Sequence, residues 1–143
     1  MVLDVALVGT GGMMPLPHRW LSSVLIRYQS HLVLFDCGEA TQISLQQLGW
    51  GIKAIDLVLI SHNHYDHLDL PILRLLADRG PCQFIVPSRV ARLLRSHSIG
   101  PVHELDWGES LRLATAEIHS VPALHFSARG PFDRNRTLWC GYV

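Results

Sequence analysis

The chain of 143 residues has few cysteines and no long hydrophobic run, and each shortage excludes a class of protein. Its three cysteines lie far apart and form no CxxC pair, which excludes a disulfide framework and fits a reduced, cytoplasmic protein. No apolar stretch approaches the roughly 20 residues of a membrane-spanning helix, and residues 1–10 lack the basic segment of a signal peptide. We therefore expect a cytoplasmic protein without a membrane span.

An excess of charge of either sign is also missing, since 12 Lys and Arg residues balance 12 Asp and Glu residues. Zero net charge argues against a surface built to coat nucleic acid. Hydrophobic residues make up 48% of the chain and charged residues 17%, so a single domain over residues 1–143 is expected. Nine histidines are the one surplus, and imidazole both binds metals and titrates near neutral pH.

Apolar runs and turn signals predict strands that alternate with helices, which places the chain in the α/β class. The predicted strands cover residues 2–9, 22–28, 31–36, 55–61, 82–87, 110–113, 116–122 and 137–143. The predicted helices cover residues 39–48, 70–77 and 88–96, the last with Ser88 as its N-cap. Because the last predicted strand stops without a turn or cap, we expect the chain to be the N-terminal portion of a longer fold.

Three histidines and an aspartate lie within six residues directly after the predicted strand 55–61, as His62, His64, Asp66 and His67. Positions two apart on an extended backbone project to the same side, so His62 and His64 can reach one cation. Imidazole and carboxylate ligands suit Zn²⁺, with Mn²⁺ or Fe²⁺ as alternatives. A polar loop with solvated histidines is the competing interpretation, which the clustering disfavours.

This HxHxDH pattern resembles the signature of the metallo-β-lactamase superfamily. The resemblance implies an αββα sandwich, incomplete in one chain, with a metal site at the edge of its two sheets. It also implies that a later histidine, matched here by His125, joins His62 and His64 on the first metal and leaves a fourth position open for water. By the same resemblance, Asp66 and His67 belong to a second metal.

Two branches of that superfamily are represented along the chain. Residues 7–42 resemble ribonuclease Z and its relatives, which process tRNA 3′ ends. Residues 61–69, 105–109 and 121–140 resemble the N-acyl phosphatidylethanolamine phospholipase D branch. The change falls near residue 60, which suggests a chimera. Both branches cleave phosphodiesters, so the resemblance defines the reaction class more firmly than the substrate.

The function implied is a metal-dependent hydrolase of the phosphodiesterase type, in which Asp66 orients or deprotonates a metal-activated water. The expected substrate is a phosphodiester or another small molecule, whereas the neutral charge disfavours tRNA. Arg129 and Arg134 follow His125, and their guanidinium groups either grip a phosphate or form a structural network with Asp133. Asp36 either orients the neighbouring loops as a structural acid or accepts a hydrogen bond from a ligand histidine.

A competing function is a metal-binding half-domain, or a chimeric fragment, with little or no catalysis. Both branches supply a bridging aspartate and a final histidine from the C-terminal half of the fold, which this chain ends before reaching. We therefore expect one well-held metal, or a second site completed by another chain or by a missing segment. Assembly as a homo-oligomer would cover the sheet face that a half-sandwich exposes.

Overall fold

The computed structural model describes residues 2–50, 55–114 and 116–143, which form two sheets and three helices. The larger sheet has six strands, adjacent in chain order: β1 (Leu3–Gly9), β2 (Ser23–Tyr28), β3 (His31–Phe35), β4 (Ile55–Leu59), β5 (Gln83–Pro87) and β6 (Val102–Leu105). The smaller sheet contains β7 (Ser110–Arg112), β8 (Glu117–Val121) and β9 (Gly141–Tyr142). The helices are α1 (Thr41–Leu48), α2 (Leu70–Arg79) and α3 (Ala91–Ser96).

The strand directions follow from the connections. Strands β1, β2 and β3 are antiparallel neighbours, and two residues join β2 to β3 as the predicted hairpin requires. From β3 to β6 the strands run parallel, because one helix crosses over between each successive pair. The carboxyl ends of these four strands therefore meet at one edge of the sheet, which is where open α/β sheets place their ligand sites.

The two faces of the larger sheet are covered by different layers. All three helices pack on one face, where Leu45, Leu73 and Leu94 join the strands in the larger apolar cluster. On the other face, Leu59 and Ile85 pack with Ile118 of the smaller sheet. The predicted α/β class is confirmed, and the described residues supply a helical layer and both sheets of the predicted αββα sandwich. None of the described helices is long and apolar enough to cross a membrane.

The smaller sheet leaves the β1 side of the larger sheet uncovered. Leu3, Val5 and Leu7 point away from the helices and are 60%, 58% and 70% exposed. Their register partners on β2 include Ile26 opposite Val5 and Val24 opposite Leu7, which lie on the same face. These five residues are called the β1 face below, and they contain no charged side chain.

Three local predictions were wrong. The predicted helix at 88–96 begins only at Ala91, because Arg89 adopts a left-handed conformation (φ 72°) that a helix cannot include. Ser88 is not its N-cap, since the Ser88 hydroxyl donates to Asp106 while Glu104 Oε1 accepts from the Ala91 N–H. The strand Val102–Leu105 was missed, since only its first and last residues are buried and no alternation marks it.

The predicted strand at 137–143 is reduced to the two residues of β9. The preceding residues leave the sheet pairing and cross the carboxyl ends of β5 and β4 instead. There the Leu138 N–H donates to Ser88 O and the Cys140 N–H donates to Ser61 O, both at about 3 Å. Apolar composition alone could not distinguish this crossing from a strand.

Candidate metal centre

Three imidazole rings meet at the carboxyl end of β4, where His62 and His64 follow the strand and His125 approaches from the loop after β8. His62 Nε2 lies 2.9 Å from His64 Nδ1 and 3.0 Å from His125 Nε2, and all three ligand atoms lie within 4.8 Å of one another. Since Zn–N bonds are about 2.0–2.1 Å long, two nitrogens on one ion can be up to about 4.2 Å apart. The spacing around His62 therefore fits a shared ion.

The cluster is closed on one side and open on the other. His62 is 4% exposed, His64 is half-buried and His125 is exposed. Beside the open side lies a cavity of 460 Å³, lined by His64 and His125 together with Asp66 and His67. A small molecule can therefore approach the exposed side of the cluster while His62 is held from behind.

The hydrogen bonds behind His62 determine which of its nitrogens is free. Asp36 accepts two hydrogen bonds from Ser61, from the backbone N–H at 2.7 Å and from the hydroxyl at 2.9 Å. Because a carboxylate only accepts, the single Ser61 hydroxyl proton points to Asp36, and Ser61 Oγ must accept from His62 Nδ1, which lies 2.8 Å away. The proton of His62 is therefore on Nδ1, and the Nε2 lone pair faces the cluster.

The same carboxylate orients His67. His67 Nδ1 donates to Asp36 Oδ2 at 2.7 Å, and its Nε2 faces Asp66 Oδ2 at 3.5 Å. Asp66 Oδ2 also accepts from the Met13 N–H at 3.0 Å, so the loop after β1 helps to hold this carboxylate. Among the described residues, Asp66 and His67 thus form a second pair of candidate ligands beside the three histidines.

Backbone contacts hold the end of β3 against the HxHxDH loop. The Cys37 N–H donates to His67 O at 2.8 Å, and the Asp69 N–H donates to Cys37 O at 2.7 Å. Gly38 permits this approach, because a Cβ there would collide with the carbonyl oxygen of Asp66. Asp36 itself adopts a left-handed conformation (φ 55°), which is uncommon for a residue other than glycine. The loop is therefore held by its backbone as well as by the Asp36 carboxylate.

Arg129 connects the loop that carries His125 to the HxHxDH loop. Its Nη1 donates to Asn63 O and to Leu68 O, both at 3.0 Å, and its guanidinium lies 4.0 Å from the centre of the Tyr65 ring. The Asp133 carboxylate accepts from the backbone N–H of Arg129, at 3.0 Å, rather than from its guanidinium. Through these contacts Arg129 holds the loop of His125 against the HxHxDH loop. Its predicted contact with substrate stays a prediction.

Arg134 lies with its guanidinium 4.5 Å from the centre of the Phe126 ring, and Phe126 in turn packs on His64. Its predicted contact with substrate also stays a prediction. The remaining five histidines lie outside the cluster that the described residues form: His18, His31, His97, His103 and His119.

Ser61 is the residue of the site that the sequence analysis missed. Its hydroxyl links Asp36 to His62, and the signal was a hydroxyl directly before the first histidine of the motif, at the end of an apolar strand. A hydrogen-bonding partner for the non-ligating nitrogen is a general requirement of metal-binding histidines. Residues adjacent to a histidine motif are therefore candidates for the hydrogen-bonding partner of the non-ligating nitrogen.

Burial and mutual repulsion favour the neutral forms of His62 and His64. Burial is the largest cause that lowers the pKa of His62 to about 2, followed by the charges that His67, His64 and His125 would carry. Burial and His125 also lower the pKa of His64. For His67, burial opposes protonation, but the hydrogen bond and charge of Asp36 outweigh it and the pKa is raised. Neutral imidazole is the form that binds a metal, so His62 and His64 are prepared for that role.

We predict that acid destabilises the metal-free chain as the pH falls below 6.5, the ordinary pKa of histidine. Unfolded His62 then binds a proton that folded His62 excludes down to about pH 2, so its stabilising contribution is present above pH 6.5 and lost below it. His67 has a raised pKa and contributes fully throughout this range, because its contribution is lost only as the pH rises. The expected loss between pH 6.5 and 5 is about 2 kcal/mol.

Urea unfolding in the presence of a chelator measures this loss, and His62→Gln is the matched variant that removes the titrating group. The variant is expected to lose correspondingly less stability between the two pH values. Equal free energies of unfolding at pH 6.5 and 5 for the unmodified chain would contradict the prediction.

Comparison with known proteins places this geometry in context. The family described as beta-lactamase superfamily domain matches residues 31–143. The ribonuclease Z of Lachnospira eligens is 43% identical over 100 residues, covering 66% of this chain and 33% of that protein. Human tRNase Z, short form, is 27% identical with a TM-score of 0.57, covering 71% of this chain and 45% of that one. A diphosphatase of the PhnP family is 25% identical with a TM-score of 0.63, covering 87% of this chain and 58% of that one.

The extent of these matches matters as much as their identity. The chain spans about a third of the length of the curated relatives it matches. The resemblance to ribonuclease Z noted in the sequence is supported by these matches, which cover 66% and 65% of this chain.

Proposed function

Because the chain belongs to the beta-lactamase superfamily, we propose that it is a metal-dependent hydrolase of phosphodiesters whose catalytic metal is held by His62, His64 and His125. The observation that carries the proposal is the convergence of three imidazole nitrogens, one of them oriented by Ser61 and Asp36, beside an open cavity. Three histidines with an open fourth position are the donor set of catalytic zinc rather than of structural zinc.

The donor chemistry fits Zn²⁺, and Mn²⁺ or Fe²⁺ are the alternatives that imidazole and carboxylate ligands allow. When bound, such an ion acts as a Lewis acid and lowers the pKa of its water ligand to near neutrality. Asp66 and His67 are proposed as ligands of a second ion, which they would hold weakly as a pair. One well-held ion per chain is therefore the expected stoichiometry.

Asp66 is proposed as the residue that orients or deprotonates the attacking water. Its Oδ2 is engaged by the Met13 N–H, whereas Oδ1 has no hydrogen-bond partner within the described residues. The carboxylate lines the same 460 Å³ cavity as His64 and His125. One oxygen thus fixes the side chain while the other is available to accept a proton at the cavity surface.

The names of the related proteins support a phosphate ester as the substrate class, since they include ribonuclease Z, tRNase Z and a diphosphatase. Within that class, the N-terminal resemblance favours an RNA substrate. The phospholipase D-like motifs in residues 61–69 and 121–140 favour a lipid phosphodiester. Whole tRNA stays the weaker proposal because the chain is neutral. A cytoplasmic location also stays a prediction.

Hydrolysis of bis(4-nitrophenyl) phosphate by the zinc-loaded chain tests the reaction class. Asp66→Asn is expected to lower kcat by at least a hundredfold while leaving one zinc per chain. Asp78→Asn, which changes an exposed carboxylate on α2, is the matched control and should retain full activity. Zinc bound at full occupancy without turnover by the unmodified chain would instead favour the inert metal-binding half-domain.

We also propose that a second copy of the chain covers the β1 face. That face has no charged side chain and the chain has no net charge, so electrostatic repulsion does not oppose the self-association of two such faces. Solution mass at micromolar concentration should correspond to a dimer, and Val5→Asp should produce a monomer. A monomeric unmodified chain would contradict the proposal without affecting the metal site.

A further inference from the structure

A second cavity lies beside the metal centre, at the carboxyl ends of β5 and β6. It has a volume of about 310 Å³ and is lined by Ser88, Arg89, Asp106, Asn135, Arg136 and Trp139 among others. Trp139 also lines the 260 Å³ cavity that contains His62 and His125, so the two cavities are neighbours across one side chain. The edge of the sheet that carries the metal ligands therefore continues into this cavity, which is called the Arg89–Arg136 cavity below.

In the described part of the chain, neither arginine of the Arg89–Arg136 cavity forms a side-chain ion pair. Within the described residues, the Arg89 side chain has no hydrogen bond or ion pair. Arg136 helps to lower the pKa of Asp133, but the larger causes are hydrogen bonds from the backbone of Arg129 and Gly130.

The one acid that lines the cavity, Asp106, already accepts hydrogen bonds from the Trp107 N–H at 2.7 Å and the Ser88 hydroxyl at 3.4 Å. Two arginines thus line the cavity together with one engaged carboxylate. The net charge of the lining favours an anion.

Arg89 adopts a backbone conformation that glycine adopts more easily than a residue with a side chain. Arg89 has a φ of 72°, and this left-handed conformation is unfavourable for a residue with a side chain. The crossing segment is fastened there, because the Leu138 N–H donates to Ser88 O at 3.0 Å. The conformation that carries the guanidinium to the cavity is therefore maintained by tertiary contacts, as is common for residues at binding sites.

We propose that the Arg89–Arg136 cavity binds a second phosphate group of the substrate, next to the phosphodiester at the three histidines. This inference rests on the proposed function. Neighbouring strands are about 4.8 Å apart, so the step from the end of β4 to the cavity between β5 and β6 is on the order of 5–10 Å. A linker of a few bonds between two phosphates spans that distance, and guanidinium groups bind phosphate through paired hydrogen bonds.

An aromatic pair makes a nucleotide chain the favoured source of that phosphate. Trp107 is 40% exposed and lies edge-on to Trp139, with their ring centres 5.6 Å apart. Trp107 is the exposed ring of the pair and Trp139 is half-buried. An exposed aromatic ring beside arginines is a combination that binds single-stranded nucleic acid, through base stacking and phosphate contacts. The substrate class inferred is a short single-stranded oligoribonucleotide, and a simple diphosphate is the alternative that the test separates.

Binding of a fluorescent tri-ribonucleotide tests the cavity directly. The zinc-loaded chain carries Asp66→Asn so that the probe is not consumed, and anisotropy reports the Kd. Arg89→Gln and Arg136→Gln are each expected to raise the Kd at least tenfold and to reduce its dependence on salt. Arg92→Gln removes the same charge from an exposed position on α3 outside the cavity, and it should change neither.

A hydrolysis assay with unmodified Asp66 distinguishes this inference from the proposed function. For bis(4-nitrophenyl) phosphate, which has one phosphate, Arg89→Gln and Arg136→Gln should keep the original kcat and KM. For the tri-ribonucleotide, they should raise KM about tenfold. The unmodified chain could hydrolyse neither substrate while both variants still lose probe binding. That result would refute the proposed function and keep the phosphate site.

Two results would overturn the inference. If Arg89→Gln and Arg136→Gln bind the tri-ribonucleotide as tightly as Arg92→Gln does, no phosphate binds in the cavity. Inorganic diphosphate that binds in the cavity as tightly as the tri-ribonucleotide would exclude the nucleotide chain as the preferred class.

Discussion

Replacing both His62 and His64 with alanine is expected to abolish tight zinc binding and all hydrolysis. The change removes two of the three nitrogens that converge at the end of β4, and His125 alone is an exposed histidine with no special affinity. Zinc-finger peptides, with four protein ligands, bind zinc with about 10–16 kcal/mol, which is several kcal/mol per ligand. Losing two of the three ligands here should therefore weaken binding by roughly a thousandfold or more. Isothermal titration with Zn²⁺ and elemental analysis after dialysis measure the loss.

The matched control for this prediction is His119→Ala, which removes an exposed imidazole from β8 and should leave zinc content unchanged. Urea unfolding in a chelator checks that the double variant still folds, so that loss of metal is not mistaken for loss of structure. Unchanged zinc content in His62→Ala/His64→Ala would remove these residues from the site.

Replacing Asp36 with asparagine is expected to lower both zinc affinity and stability, although Asp36 does not face the metal cavity. Its two oxygens accept hydrogen bonds from the Ser61 N–H, the Ser61 hydroxyl and His67 Nδ1. In asparagine only the carbonyl oxygen still accepts, because the NH₂ group that replaces the other oxygen donates, so at least one of these donors loses its partner. We expect the free energy of unfolding to fall by about 3 kcal/mol and the Kd for zinc to rise 10–100-fold.

One further readout and a control variant separate the positioning role of Asp36 from general support of the fold. The pKa of His67, raised by the Asp36 carboxylate, should fall in Asp36→Asn, and the imidazole resonances of His67 report it by NMR. The control Asp78→Asn breaks an exposed ion pair with Arg74 on α2 and should alter neither the zinc Kd nor this pKa. Wild-type zinc affinity in Asp36→Asn would contradict the prediction.

The parts of the fold that local pattern determines could be predicted from the sequence. The hairpin of β2 and β3 follows from alternating apolar residues on either side of a two-residue turn. Helix α2 follows from Pro71 in its first turn and Gly80 after its end, and the structure adds Asp69, whose Oδ1 accepts from the Ile72 N–H. In both places the periodicity and the end signals agree, and the prediction needs no tertiary contact.

The remaining parts depend on contacts between segments that are distant in the sequence. Arg129 lies more than 60 residues from Asn63 and Leu68, whose carbonyl oxygens it binds, so nothing near it in the sequence indicates a bracing role. The same holds for the crossing at Leu138, which is directed by Ser88. Tertiary hydrogen bonds override local propensity at both places, and both border the proposed binding cavities.

The candidate site falls between these two cases. The spacing of His62 and His64 predicts that they share one side, and their facing nitrogens lie 2.9 Å apart. The contribution of His125 rested on the family resemblance, since no local pattern connects it to residues 63 positions away. Ser61 needed the three-dimensional path from Asp36 to His62, because only that path reveals which proton each group carries.

X-ray absorption at the zinc edge, on the chain loaded with one equivalent of Zn²⁺, shows which atoms surround the ion. We expect a first shell of nitrogen and oxygen at about 2.0–2.1 Å, with the outer-shell scattering of three imidazole rings and no sulfur. Cys37, Cys82 and Cys140 are all buried and are not proposed as ligands. A shell of sulfur at about 2.3 Å, or scattering from fewer than three imidazoles, would contradict a metal centre formed by His62, His64 and His125.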